Sequence, residues 1–237
     1  DLLDPRGTGY HPTKDDDPRR IYHNIAVAID SARQLNNGHP GTLATWIESL
    51  GIHSGDRVVH IGAGTGYYTA IMAEVCGASG AVLALEADAN LAARAADNLR
   101  PWTNVRVIHD DAVTLRESAD AIFVNAGVTY ALPAWLDALA EDGGRMVIPV
   151  TAAFGPLGKG AVVRIERKGD RFQARGSSLV MIYNCSIARD DSMAAAIGKA
   201  MTTGGFSRVR SVRRESHEED PTCVIHREGC CLSTEAS

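Results

Sequence analysis

Three glycines at alternate positions, Gly62, Gly64 and Gly66, follow a short apolar run, Val58-Val-His-Ile61, and precede a helical pattern over 68–76. Strand, glycine turn and helix open a nucleotide-binding βαβ unit. Glycine lacks a Cβ, so the chain turns tightly off the strand and a ligand can lie against bare backbone. The helix N-terminus then directs free N–H groups at that ligand. The next apolar run, Ala81-Val-Leu-Ala-Leu85, ends in Glu86, 24 residues on from Gly62. An acid at the end of the second strand accepts hydrogen bonds from ribose hydroxyls. The plainer alternative is that Glu86 is a solvated loop acid.

The glycine spacing narrows the ligand. A dinucleotide fingerprint reads GxGxxG and wants glycine or alanine at position 67. Tyr67 stands there, which disfavours a nicotinamide oxidoreductase, and the observed GxGxG resembles that of S-adenosylmethionine methyltransferases.

The elements that must position these residues follow from periodicity. Leu43, Trp46, Ile47 and Leu50 predict a helix over 42–50 with Gly51 as its C-cap, and Asn36-Asn-Gly38 to Gly41 forms an irregular loop ahead of it. That loop reads either as a helix entrance or as a substrate or cofactor lid. Beyond Glu86 come a helix over 88–99, a strand over 105–108 ending at His109-Asp110-Asp111, and a strand over 120–124 ending at Asn125-Ala-Gly127. A helix over about 132–139 and a strand at Gly143-Gly-Arg-Met-Val-Ile-Pro149 complete this half. Alternating strands and helices imply a parallel sheet with right-handed crossovers, and ligands sit at the carboxyl ends of such strands. Glu86, Asp111, Asn125 and Gly127 all lie there. Later segments over 162–167 and 172–185, joined by Lys168-Gly-Asp170, read as antiparallel strands completing the edge. A helix over 191–201 and a further segment over 206–212 follow. The organisation is an N-terminal arm over 1–20 without its own core and a single domain over 21–237. That domain has helices and a lid over 21–56, a cofactor-binding core over 57–150, and C-terminal strands, helix and tail over 151–237.

Composition bounds the function. The 237 residues are 45% hydrophobic and 22% charged with net charge −5, ordinary for a soluble globular protein. No basic block supports nucleic-acid binding, and no apolar run reaches the ~20 residues of a membrane span. Five cysteines, two of them in apolar context at Cys76 and Cys185, together with no secretion signal, point to a reducing cytoplasmic setting.

The stretch over about 43–150 resembles the protein-L-isoaspartate O-methyltransferase family. The resemblance is carried by Gly62-Ala-Gly-Thr-Gly-Tyr67 with Thr69-Ala70, Gly80-Ala-Val-Leu-Ala-Leu-Glu86, Asn104-Val-Arg-Val107 and Gly143-Gly-Arg-Met-Val-Ile-Pro149. It implies a Rossmann-like, seven-stranded methyltransferase sheet, parallel with antiparallel edge strands. It implies S-adenosylmethionine as cofactor, held by Gly62, Ala63, Gly64, Gly66, Tyr67, Glu86, Ala87, Asp111, Ala112 and Asn125. Glu86 would hold the ribose and Asp111 the adenine amino group. The implied reaction moves a methyl group to the free carboxylate of an isoaspartyl residue in a peptide or protein. Two departures stand out. Anchored on Pro40, Gly38 occupies the place of the family's active-site serine and Gly41 a place where it often has histidine. The family's Gly-Asp-Gly is Asp110-Asp-Ala112 here.

The acceptor loop would therefore be built from Asn37, Gly38 and His39, with Asn36 beside them, and the acceptor stays open. It is a peptide or protein carboxylate, or a natural product or ribosomal peptide in a tailoring reaction, or the chain is a non-catalytic cofactor-binding module. In the tail, Cys223-x2-His226-x3-Cys230-Cys231 with His217 upstream has the residue types of a zinc site, but the spacing matches no familiar finger. The expectation is no metal, and a tail dispensable for cofactor binding, so that a chain ending near Arg214 keeps its cofactor. His60 alternates with apolar strand residues and reads as packed, Trp135 reads as core, and His109 reads as a weak pocket candidate.

Overall fold

A computed structural model describes residues 1–4 and 9–236; positions 5–8 of the N-terminal arm lie outside the described residues. The arm contributes β1 (Leu2–Leu3) and β2 (Tyr10–His11), paired antiparallel, and a 3-10 turn at Pro18–Ile21. It is tied to the domain by Leu3 N donating to Ala26 O at 2.9 Å. The segment before the first helix is a hairpin, β3 (Ala28–Asp30) and β4 (Leu35–Asn36), so 21–56 holds one α-helix rather than several. The Asp30 carboxylate accepts from Arg33 N at 3.1 Å, a local side-chain turn that competes with helix formation, and Gln34 takes a left-handed φ of 59°.

The nucleotide half then runs α1 (Pro40–Leu50), β5 (Arg57–Ile61), α2 (Tyr67–Cys76), β6 (Ala81–Glu86), α3 (Ala89–Asn98), β7 (Val105–His109), β8 (Ala121–Val124) and α4 (Pro133–Ala138). Gly51 closes α1 at φ 62°, and the Asp88 side chain caps α3 by accepting from Asn90 N and Leu91 N, both at 2.9 Å. The other half has β9 (Asp142–Phe154), β10 (Leu157–Lys168), β11 (Arg171–Tyr183), a 3-10 turn at Asp191–Met193, α5 (Ala194–Thr202) and α6 (Gly205–Arg208). It closes with β12 (Ser211–Arg213), β13 (Cys223–Ile225) and β14 (Cys231–Ser233).

One sheet gathers the strands in the order β13-β14-β12-β11-β10-β9-β8-β5-β6-β7. From β7 to β9 the pairs are parallel, and from β9 outward they are antiparallel. The seven strands β5 to β11 are the expected methyltransferase sheet. The tail extends it with three short strands, because Ile225, Cys230 and Leu232 are buried in the main core. The segment over 206–212 divides between α6 and β12. Strand alternation splits the apolar residues between two faces. Val59, Ile61, Leu83, Leu85, Ile122 and Val124 pack with Trp135 and the C-terminal half, whereas Val58, Val82, Ala121 and Phe123 pack under α1 and α2. The chain leaves β5 for β6 and β7, then returns to β8 on the other side. The carboxyl end of β5 is thus the topological switch point, where an open α/β sheet forms a crevice.

Candidate active site

The glycine turn leaves β5 at that switch point. Gly62 N and Ala63 N both donate to Leu85 O, at 2.9 and 3.1 Å, folding the turn back onto β6. Gly62 and Gly64 take left-handed φ values of 77° and 57°, which strain any residue with a Cβ. Glu86, at the end of β6 and 9% exposed, organises the turn. One carboxylate oxygen accepts from Gly64 N at 2.7 Å and the other from Asp88 N at 3.0 Å. A carboxylate offers about four acceptor sites, so capacity remains on the cleft side.

The cleft has a volume of about 460 Å³, within the ordinary range for a small-molecule site. Its walls include Gly62, Ala63, Gly64, Tyr67, Glu86, Ala87, Asp111 and Asn125. Two other expected cofactor positions serve the scaffold instead. Gly66 begins α2 at φ 90°, where an added Cβ would lie 2.7 Å from Leu99 Cδ1. Ala112 is buried, holds a left-handed φ of 62°, and gives its carbonyl to Trp135 Nε1 at 2.8 Å. The family's second glycine of Gly-Asp-Gly would fit that backbone at position 112 without strain. Asp111 faces the cleft while accepting from Val113 N at 3.1 Å, and its neighbour Asp110 accepts from Ala112 N at 2.6 Å.

The acceptor loop is only partly where the sequence put it. Asn37 lines the cleft, but its Oδ1 accepts from Val27 N at 2.8 Å and so holds the hairpin backbone. Gly38 and His39 lie outside the lining. Gly38 turns at φ 75° toward Leu43, and His39 precedes α1 with Nδ1 3.2 Å from Asn24 O. The local turn, closed by Gly38 N donating to Asn36 Oδ1 at 2.8 Å, directs these two residues away. The cleft is instead bordered on this side by the hairpin β3–β4, through Ile29, Arg33, Leu35 and Asn36. Arg33 latches the hairpin to α3 by pairing with Asp88, whose carboxyl is held below the usual range by the Leu91 N–H and then by Arg33.

Sequence reasoning missed the opposite wall, Tyr183, Asn184, Cys185 and Ser186. β11 is antiparallel to β10, which is antiparallel to β9, so β11 ends at the same edge as β5 and β6. The strand-end rule would have found them once that pairing was known. Asn36 Nδ2 donates to Tyr10 Oη at 2.7 Å and to Tyr183 Oη at 3.1 Å, joining hairpin to wall. Burial pushes the Cys185 thiol above its ordinary value, so it stays protonated near neutrality. Tyr68 also faces the cleft, and its buried hydroxyl has no partner among the described residues.

The expected packed residues behave as such. His60 is fully buried under α2 with Nδ1 2.8 Å from Thr69 Oγ1, and Trp135 is fully buried. His109 is outside the lining, with Nε2 3.0 Å from Ala87 O at the rim. Among the described residues no helix is long and apolar enough to cross a membrane.

The sequence profile of the Protein-L-isoaspartate(D-aspartate) O-methyltransferase (PCMT) family matches residues 12–182, most of the chain. The chain belongs to this family. Relatives named protein-L-isoaspartate O-methyltransferase include those of Desulfotalea psychrophila, 34% identical over 65% of this chain and 69% of its own length, and Methanocella arvoryzae, 33% identical over 70% and 80%. The chain spans less of others, 43% of the Thermotoga maritima protein. A solved protein-L-isoaspartate O-methyltransferase superposes with TM-score 0.64 at 21% identity, over 85% of this chain and 63% of its own. A second, from Plasmodium falciparum in complex with S-adenosyl-L-homocysteine, gives 0.59 at 20% over 70% and 81%. At those identities the superpositions establish the methyltransferase fold. Family membership covers the glycine turn, the β3–β4 hairpin and β11, and ends before the strands of the tail.

Proposed function

We propose that this member of the family is an S-adenosylmethionine-dependent O-methyltransferase acting on an aspartyl or isoaspartyl carboxylate of a peptide or protein. One observation carries the reading: the glycine turn, Glu86 and Asp111 share a single cleft with the polar end of β11 and the β3–β4 hairpin. The cleft suits the cofactor. Glu86 has acceptor capacity for ribose hydroxyls, Asp111 is placed for an amino group, and the unpartnered Tyr68 hydroxyl is a buried donor awaiting a ligand. When bound, the cofactor supplies an activated methyl group on a sulfonium. A carboxylate is already ionised and nucleophilic at neutral pH, so no general base is required. The chain's own part is to bind, orient and exclude water. Ser186, Asn36 and Tyr183 provide hydroxyl and amide groups on the acceptor side. Five cysteines, with no disulfide among the described residues, support a reducing, cytoplasmic setting.

The test is methyl transfer from labelled cofactor to an isoaspartyl hexapeptide, with an aspartyl peptide as control and base-labile methanol as readout. We expect transfer to a peptide carboxylate, with turnover on the generic isoaspartyl peptide lowered by on the order of 10²-fold relative to relatives with a serine at this place, because position 38 is a glycine turned out of the cleft and supplies no orienting hydroxyl there. Full repair-type turnover would show that the substitution does not matter. No methanol from any peptide or protein would move the acceptor to a small molecule, the tailoring reading. Gly38→Ser is a poor rescue, since a Cβ there would lie 2.9 Å from Leu43 Cδ2 at a left-handed φ.

Glu86→Ala should weaken S-adenosylhomocysteine binding by roughly 10- to 100-fold in calorimetry, the loss of a charged hydrogen bond of about 1.5–3 kcal/mol. An unchanged dissociation constant would remove Glu86 from the cofactor site.

A further inference from the structure

The tail brings four soft ligands together far from the cleft in the chain. His217 lies in the loop after β12, Cys223 opens β13, His226 follows it, and Cys231 opens β14. One ligand atom from each falls within 4.8 Å of all the others. Cys223 Sγ is 3.6 Å from His217 Nε2 and 3.7 Å from His226 Nδ1. A tetrahedral zinc with Zn–S of about 2.3 Å and Zn–N of about 2.0 Å has S···N edges of about 3.5 Å. The protein thus holds two edges of that tetrahedron near their bonded lengths.

The surroundings suit a metal better than a chance cluster. His217 Nδ1 lies 2.9 Å from Glu215 O, an arrangement in which Nδ1 carries the proton and Nε2 presents a lone pair toward Cys223. Asp220 N donates to Cys223 Sγ at 3.4 Å, which fixes the sulfur's position beside the two imidazoles. Asp220 Oδ1 lies 3.6 Å from Cys223 Sγ, but its carboxylate is held by Arg213 and Thr222. The neighbouring Cys230 is buried in the main core, so strand alternation separates the two adjacent cysteines. Two thiolates and two imidazoles neutralise a divalent ion and select zinc over oxygen-preferring cations. All four positions are filled by protein, and none of these residues lines the cleft.

We propose that His217, Cys223, His226 and Cys231 bind one zinc ion in a closed tetrahedral site that clips the outer strands β13 and β14 to the sheet. This reverses the metal-free expectation drawn from residue spacing and is independent of the acceptor. The full chain, purified under reducing conditions, should carry one zinc per chain by elemental analysis. Cobalt in its place should give the intense visible bands of a four-coordinate ion and a thiolate charge-transfer band. Cys223→Ser should lose the metal, whereas Cys230→Ala, one residue from a ligand, should keep it. Chelator should lower the melting temperature of the parent chain and leave that of Cys223→Ser unchanged. Three results would overturn the site: a metal-free chain that takes up no added zinc against a chromogenic chelator, a six-coordinate cobalt spectrum, or a Cys223–Cys231 disulfide in reduced preparations. Should Cys223→Ser fail to fold, zinc content and the cobalt spectrum of the parent chain still decide.

Discussion

A chain ending near Arg214 is expected to unfold or aggregate rather than retain its cofactor, contrary to what the polar composition of the tail suggests. Residues 215–236 supply two strands to the sheet, with β12 paired to β14 through Ser211↔Ser233, Val212↔Leu232 and Arg213↔Cys231. They also place Ile225, Cys230 and Leu232 in the same core as Phe172, Ile197 and Phe206. Burying each large aliphatic side chain contributes about 1.5–3 kcal/mol, so removing Ile225, Leu232 and the smaller Cys230 costs roughly 4–7 kcal/mol. That is comparable with the whole stability of a domain, about 5–15 kcal/mol. The measurement is urea unfolding of the shortened chain against the full one, with cofactor binding by calorimetry. A shortened chain with an unaltered unfolding midpoint would mean that the outer strands contribute nothing. The leading alternative, that zinc alone holds the tail, is separated by Ile225→Ala, which should destabilise by about 2–5 kcal/mol while leaving the metal ligands intact.

The second large effect is a loss of stability in mild acid traceable to His60. Burial depresses its imidazole from 6.5 to about 3, and its Nε2 has no partner that would stabilise the charged form. Above pH 6.5 neither folded nor unfolded chain protonates it, and its contribution does not vary. Between 6.5 and about 3 the unfolded chain takes up a proton that the folded chain refuses, so stability falls with falling pH. The slope approaches 1.4 kcal/mol per pH unit, or roughly 3 kcal/mol between pH 6.5 and 4. Unfolding free energies of His60→Leu should show a profile flatter by that amount over this window. In the native parent chain the His60 imidazole resonance should not titrate between pH 8 and 5. Titration near its ordinary value would show that water reaches the ring.

The nucleotide half was legible in the chain because its signals are local. A continuous apolar run, a glycine turn with left-handed positions at Gly62 and Gly64, and an acid closing the next strand are each enforced by neighbours within a few residues. Glu86 therefore arrives at the cleft by the geometry of one βαβ unit. His60 and Trp135 were readable for the same reason, as members of a strand or helix whose buried faces are set by period.

What only the tertiary structure decided depends on pairing between distant segments. Tyr183 and Ser186 reach the cleft because β11 runs two antiparallel steps from β9, and nothing at positions 183–186 encodes that register. Gly38 and His39 leave the cleft because Asn36 closes a turn on Gly38 N while Tyr10 and Tyr183, from distant parts of the chain, hold its amide. In the tail, composition is polar on average, yet β12 offers an open edge that β14 can join, and the alternating residues then sort themselves. Cys230 goes to the core and Cys231 to a cluster with His217, Cys223 and His226. Residue types alone marked these side chains together with Cys230, but their convergence without it required the sheet edge on which they meet.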